Sequence, residues 1–523
     1  MSPSASILGI RSYREARERF RWAALWELFD GDRETLNLAH ECVDRHVVQG
    51  TDDAAGRQTA LRIQFADGRR EEHDFATLAA WSSRFAHFLE REGIERGDRV
   101  AIMLEPSLAF YGALFGAVKR GAIAVPLFTL FGPDGVRLRL DDCRPRMLLV
   151  ERDAETWQAR LPDVRVVTAD AALAERLARE PASYEASTAA NDLAVFQYTS
   201  GTTRELPEAV KHSHRSVVTL MIAALYGVGL ERGDRYFCPS SPAWGHGLWH
   251  GTIAPLALGI AVGAYSGRVI PDRVFEALTE LRIDNLAAAP TVYRMLRNSG
   301  LASRHRFRPR KLSYTGEPMD SPTFEWIEQT WGLRPSGMYG STEVGVLIAD
   351  YPGFADYEVR QGALGQAVPG WDVAVVDAEG RPLPPGQMGE IAVRRKDGWF
   401  FVKDRGWMDE DGYFHHAGRS DDVIISAGWT MSAVEIEHTL LKHPDVRETA
   451  VVGVADEQRG LVPKAFVVSE RDGADFAREL QDFVKTRLSQ HEYPRVVEFV
   501  AVLPKTPAGK VDRRALRERP HPS

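Results

Sequence analysis

Over about three hundred residues the chain alternates between helical and strand periodicities, and this alternation restricts the fold more than any other feature. Phe75, Leu78, Ala79, Phe85 and Leu89 recur at helix spacing, and 100–104 then runs Val-Ala-Ile-Met-Leu as a buried strand. Phe110, Leu114, Phe115 and Val118 form a second helical stripe, followed by short strands over 122–127, 147–150, 164–168 and 193–197. Alternation of this kind predicts an α/β fold in which parallel-rich sheets are layered between helices. Ligands of such sheets collect at the carboxyl ends of strands. That is where Tyr198-Thr199-Ser200-Gly201-Thr202-Thr203 falls, directly after 193–197.

At 523 residues and 44% hydrophobic content the chain exceeds what one core normally supports, so two or more domains are expected. A second, self-contained α+β pattern begins after Gly418-Arg419-Ser420-Asp421-Asp422. It comprises a helix over 432–441, strands over 449–454 and 465–468, a helix with the stripe Phe476, Leu480, Phe483, Val484 and Leu488, and a strand over 496–502. The expected division is a large N-terminal domain, 1–419, and a small mobile C-terminal domain, 420–523, about a hundred residues that can move as a unit. A formal charge of -8 and no basic run argue against a nucleic-acid partner. No window supplies the roughly 20 apolar residues that span a bilayer, and the start lacks the pattern of a secretory signal, so a cytoplasmic protein is expected. The three cysteines, Cys42, Cys143 and Cys238, have no paired spacing and are expected to sit reduced in the interior.

The 198–203 run has the composition of a phosphate loop. Gly201 lets backbone N–H groups converge, while Thr199, Ser200, Thr202 and Thr203 add hydroxyl donors. It is not the GxxxxGK[ST] loop of P-loop ATPases. More than three hundred residues later, Leu503-Pro504-Lys505-Thr506-Pro507-Ala508-Gly509-Lys510 presents one lysine on a Gly-tipped loop. Alone, that stretch reads as a surface turn.

Together with Ala289-Pro290-Thr291, Thr315-Gly316-Glu317-Pro318, Tyr339-Gly340-Ser341-Thr342-Glu343, Gly389-Glu390-Ile391, Asp404-Arg405-Gly406 and Gly418-Arg419-Ser420-Asp421, these motifs stand in the order found in the acyl-adenylate-forming superfamily, which the chain resembles over nearly its whole length. That superfamily comprises acyl-CoA synthetases, peptide-synthetase adenylation domains and firefly-type luciferases. The resemblance implies binding of ATP by Thr199 to Thr203, an adenine wall from Gly316, Glu317 and Pro318, and an aromatic ring at Tyr339 beside Gly340 and Ser341. It further implies Thr342 near the α-phosphate, Glu343 on Mg2+, Asp404 on the ribose hydroxyls and Arg419 as a second ribose or phosphate contact. Lys510 would bridge developing charge during adenylation, Asp421 would be the hinge, and Ser426, Ala427 and Gly428 would flank a CoA tunnel. On its own, Tyr339 to Glu343 is a helix start capped by Ser341 or Thr342.

The chain departs from this family after Thr203. Where relatives carry Gly-x-Pro-Lys-Gly it has Arg204-Glu205-Leu206-Pro207-Glu208-Ala209, one residue longer and without the lysine; Lys211 or Arg204 is the candidate replacement. The stretch 404–414 looks most like medium-chain acyl-CoA synthetases, making CoA the expected acceptor. The acyl pocket is expected from Trp244, His246, Gly247 and Trp249 within 241–250, where glycines admit a ligand close to the backbone and indoles limit depth. That composition favours a short, medium, cyclic or aromatic acid. His246 and His250, like His212 and His214, lack a third metal ligand nearby and read as packed or hydrogen-bonded histidines. The expected enzyme is an acyl-CoA synthetase taking a small carboxylic acid, ATP, Mg2+ and CoA as a monomer or homodimer. Two other readings stay open: a standalone adenylating enzyme that loads a carrier-protein thiol, and a degenerate acyl or nucleotide binder.

Overall fold

The computed structural model describes residues 7–519 apart from 11, 48–57, 132, 199–207, 342–343, 420–422, 427–428, 457–459, 488–492 and 507–509. They pack into two compact units. The first comprises residues up to 316 with 330–346 and 350–358, and the second comprises 317–329, 347–349 and everything from 359 onward. The boundary read at Arg419 falls inside the second unit, between its two sheets.

In the first unit one sheet has six strands in the order Arg165–Thr168, Met147–Val150, Arg99–Met103, Ile123–Pro126, Leu193–Gln197 and Val210–Ser213. The first five run parallel, and the last pairs antiparallel with its neighbour. Both Ile123–Pro126 and Met147–Val150 are buried along their whole length, as expected of parallel strands covered on both faces. Seven further strands pair in the order Ser336–Ser341, Lys311–Thr315, Asn285–Ala287, Tyr236–Cys238, Val262–Ser266, Thr59–Phe65 and Arg70–Asp74, parallel up to the last pair.

Helices Phe75–Arg91 and Leu108–Lys119 form where the stripes predict. Asp74 caps the first by accepting from Thr77 N–H at 2.7 Å, and Ser107 caps the second by accepting from Phe110 N–H at 3.2 Å. The two helices pack so closely that a Cβ on Gly116 would lie 2.7 Å from the Phe85 Cβ. All three cysteines are free and buried.

The second unit holds two sheets, one wholly antiparallel and one antiparallel except where Gly460–Val468 and Val496–Phe499 run parallel. Val373–Val376, Gly389–Arg395, Gly398–Met408 and Phe414–Arg419 form a four-stranded meander. Val423–Ser426, Trp429–Ser432, Glu448–Asp456, Gly460–Val468 and Val496–Phe499 form a five-stranded sheet. Against the latter pack helices Ala433–Leu440 and Ala474–Arg487, whose Ile436, Leu440, Phe476, Leu480 and Val484 are buried in one cluster. Among the described residues no helix is long and apolar enough to cross a membrane.

Candidate active site

Thr199, Ser200, Gly201, Thr202, Thr203 and Arg204 lie outside the described residues, but both ends of their segment are fixed. Strand Leu193–Gln197 leads into Tyr198, and strand Val210–Ser213 returns beside it in the register Gln197↔Val210. The Tyr198 hydroxyl lies 2.7 Å from both the Arg139 carbonyl and the Asp142 carboxylate, and the Ala209 N–H donates to the same carboxylate oxygen at 3.1 Å. One side chain therefore secures the residue before the run and the chain where it re-enters the sheet. Burial keeps the Tyr198 phenol well above its ordinary value, so it remains a donor. Lys211 is exposed, with Nζ 5.5 Å from the Phe196 ring centre.

The expected acyl segment begins at the carboxyl end of strand Tyr236–Cys238. Its helix, His246–Ile253, is a π-helix, a rare geometry that recurs at functional sites. Gly247 is required here: a Cβ would lie 2.2 Å from the Ser241 carbonyl oxygen and 2.3 Å from that of Ser240. Trp249 donates from Nε1 to Gln197 Oε1 at 2.6 Å, and the His212 ring packs 4.5 Å from its indole. Trp244 faces Phe128, with ring centres 5.4 Å apart. His246 Nδ1 shares a 3.1 Å hydrogen bond with Ser240 Oγ. Burial lowers His246 to about 3 and His250 to about 4, so both are neutral imidazoles at physiological pH. His214 is different: fully buried, it accepts at Nδ1 from the Leu38 N–H at 3.0 Å and ties the fold together.

In the same sheet as Tyr236–Cys238, the strand that leads into Gly316 and the strand that carries Tyr339 are adjacent and parallel, in the register Thr315↔Met338, and Thr315 Oγ1 donates to the Met338 carbonyl at 2.8 Å. Gly316 has φ +99°, a left-handed conformation suited to glycine. Glu317 is half-buried and Pro318 exposed. The run from Tyr339 does not open a helix. The strand continues through Ser341, Val344 N–H bonds back to the Ser341 carbonyl at 3.3 Å, and a second strand follows at Gly345–Ala349. The turn is tight enough that a Cβ on Gly340 would sit 1.9 Å from the Gly345 carbonyl oxygen. Strand pairing here overrides the capping tendency of Ser341. Thr342 and Glu343 lie outside the described residues. Beneath this strand Asp350 accepts from Gly337 N–H at 2.7 Å and from Tyr357 O–H at 3.1 Å. Burial raises its carboxyl to about 7.

Within the second unit Asp404 and Arg419 are direct cross-strand partners. Lys403, just before Asp404, has φ 63° and donates its N–H to Glu390 Oε1 at 3.0 Å. Such a conformation for a non-glycine residue stores strain and clusters at functional positions. Ser426 pairs with Trp429 across a hairpin; Ala427, Gly428 and Asp421 lie outside the described residues. Lys510 is exposed on a short hairpin in which Lys505 bridges Val511 and the Thr506 N–H donates to the Lys510 carbonyl at 2.7 Å.

Sequence reading missed Gln197 and Asp142. A polar residue ending the apolar strand Leu-Ala-Val-Phe-Gln was a visible cue for the first. Asp142 carries no local signal, because its partners lie 56 and 67 residues away.

Two family models match the chain: AMP-binding enzyme over residues 51–398, and AMP-binding enzyme C-terminal domain over 435–510. The acetyl-coenzyme A synthetase of Bacillus subtilis (strain 168) is 30% identical over 97% of this chain and 95% of its own length. Among solved structures, an acyl-CoA synthetase of Brucella canis superposes with a TM-score of 0.76 at 30% identity, covering 97% of this chain and 99% of that one. An anthranilate CoA ligase in complex with anthranoyl-AMP superposes with a TM-score of 0.83 at 26% identity, covering 95% and 98%.

Proposed function

The chain belongs to the AMP-binding enzyme family as an acid–thiol ligase, and we propose that it activates a short or medium-chain, cyclic or aromatic carboxylic acid with ATP and passes the acyl group to CoA. The observation that carries this reading is the Trp249 to Gln197 hydrogen bond. It joins the aromatic, glycine-containing segment to the last strand residue before the Ser/Thr/Gly run, so the group that would line the acid and the loop that would hold phosphate share one support. Holding two reactants side by side in this way removes much of the entropic barrier to their reaction.

In the first half-reaction a carboxylate oxygen attacks the α-phosphorus, the bond to the bridging oxygen breaks and pyrophosphate leaves. Lys510 would offset charge as it develops there, and a compact ammonium on a flexible stem suits that task. Thr199 to Thr203 would donate to phosphate oxygens. Gly316, Glu317, Pro318 and the Tyr339 ring would enclose adenine, and Thr342 would sit near the α-phosphate. Asp404 would accept from the ribose hydroxyls, with its cross-strand partner Arg419 beside it. A Mg2+ would offset repulsion between the two anions, held by Glu343 and the nucleotide's own oxygens. Among the described residues no three His, Cys, Asp or Glu side chains converge as a metal cage, and a cation shared with phosphates needs none.

In the second half-reaction a CoA sulfur attacks the acyl carbon and AMP leaves, with Ser426, Ala427 and Gly428 flanking the pantetheine. Exchange of Lys510 for that loop would come from motion of 420–523 about Asp421 relative to 1–419. The test is AMP release with Mg2+ over a panel of linear, cyclic and aromatic acids, each run with and without CoA. AMP together with acyl-CoA for one class is the expected outcome. Adenylate without thioester would favour carrier-protein loading, and silence across the panel would favour a degenerate binder.

A further inference from the structure

Two ring nitrogens in the acyl segment have no hydrogen-bond partner although both are buried: His246 Nε2 and His250 Nδ1. Buried polar atoms are nearly always paired, and leaving one unpaired costs on the order of 1–3 kcal/mol. Here two such atoms stand on one helix, in the segment expected to line the acid. The residues are four apart on the π-helix, and their rings meet edge to face with centres 5.8 Å apart, so one small group can be offered to both. Ser240 Oγ engages the other nitrogen of His246 at 3.1 Å and fixes which face of that ring stays available. Gly247, between the two histidines, adds no polar group of its own to pair either ring, and Trp249 spends its indole N–H on Gln197.

We propose that His246 and His250 read a neutral hydroxyl or keto group on the acid, so that the preferred substrate is an oxygenated monocarboxylic acid rather than a plain hydrocarbon acid or a dicarboxylate. This rests on the ligase reading above. A hydroxyl both donates and accepts, and so satisfies either tautomer of each ring. A methyl group in its place would leave both nitrogens unpaired. A second carboxylate would meet two neutral acceptors or donors with no balancing charge in a buried setting, an arrangement that disfavours it strongly. Because burial holds both imidazoles far below their ordinary value, they do not become cations at neutral pH to receive it.

The experiment compares matched acids in which a hydroxyl replaces a methyl: 4-hydroxybutanoate with pentanoate, and 3-hydroxybenzoate with 3-methylbenzoate. Each is measured for kcat/KM in the full-length chain and for direct binding by calorimetry. At least one hydroxylated acid is expected to exceed its methyl partner about 100-fold in both readouts, within the range by which sites built for a hydroxyl reject its absence. The variant His250→Leu is expected to bring that ratio to about one or invert it, and His246→Leu to do the same should the first fail to fold. Equal or better use of the methyl acids by the unaltered chain would overturn the inference while leaving the ligase reading intact. Binding of the hydroxylated acid without AMP release would support the inference and sink the ligase reading instead. No binding preference in either pair would overturn the inference.

Discussion

The acyl segment and the Lys510 hairpin solve opposite problems. Residues 240–253 are assembled by partners far away in sequence: Gln197 lies 52 residues from Trp249, and Phe128 farther still from Trp244. The segment is buried and has no room for one extra carbon at Gly247. The hairpin from Lys505 to Val511 is closed by local backbone bonds, Lys505 Nζ reaches Glu448 at 2.9 Å, and Lys510 itself is exposed. On the proposed function, selectivity would lie where distant parts of the fold hold it, and the charge on an exposed, locally bonded hairpin.

That contrast breaks most sharply at Lys510. Lys510→Ala should lower adenylate formation by about 10²–10³-fold, the range for losing one donor at developing charge, with no change in melting temperature. A pyrophosphate-exchange assay beside a thermal melt checks both halves, and a large fall in melting temperature would contradict the local character of the hairpin. Gly247→Ala should do the reverse. Its new Cβ meets two carbonyl oxygens, so about 1–3 kcal/mol of stability is lost by overpacking, read in a urea titration. An unchanged midpoint would mean that the segment yields more readily than its packing implies.

The smallest effect sharpens the comparison through pH, since burial moves a titrating group away from its usual value. Asp350 has a folded value of about 7 against an ordinary 3.8. A raised folded value means that its contribution is fully present below about 3.8 and lost as pH rises through about 7. Asp350→Asn should therefore raise the melting temperature relative to the unaltered chain by more at pH 8 than at pH 5. An equal difference at both pH values would show that the carboxylate is better stabilised than its burial suggests.

Much of this architecture was legible because parallel strands buried on both faces are short apolar runs: 147–150 and 193–197 match the observed strands residue for residue. The Asp404–Arg419 pairing was legible only as two motif residues, since a register is set by bulges such as the one between Arg405 and Gly406. The π-helix was not legible at all. His246 to Ile253 has no period that separates it from an α-helix, and its contacts at Gly247 and Gln197 come from residues outside the helix. Tyr339 to Ser341 misled in the other direction, because a local capping tendency gave way to continuation of the strand that starts at Ser336 and lies beside Gly345–Ala349.

Asp142 has a consequence for how this chain can vary. By gripping Tyr198 and Ala209 together it sets the closure of the segment between them independently of what that segment contains. Once the ends of a loop are pinned, its length enters the free energy only logarithmically, and each doubling costs about 0.6 kcal/mol. The added residue and missing lysine that the family resemblance implies would then alter the chemistry of this stretch at little cost in closure, while the sheet beneath it stays as it is.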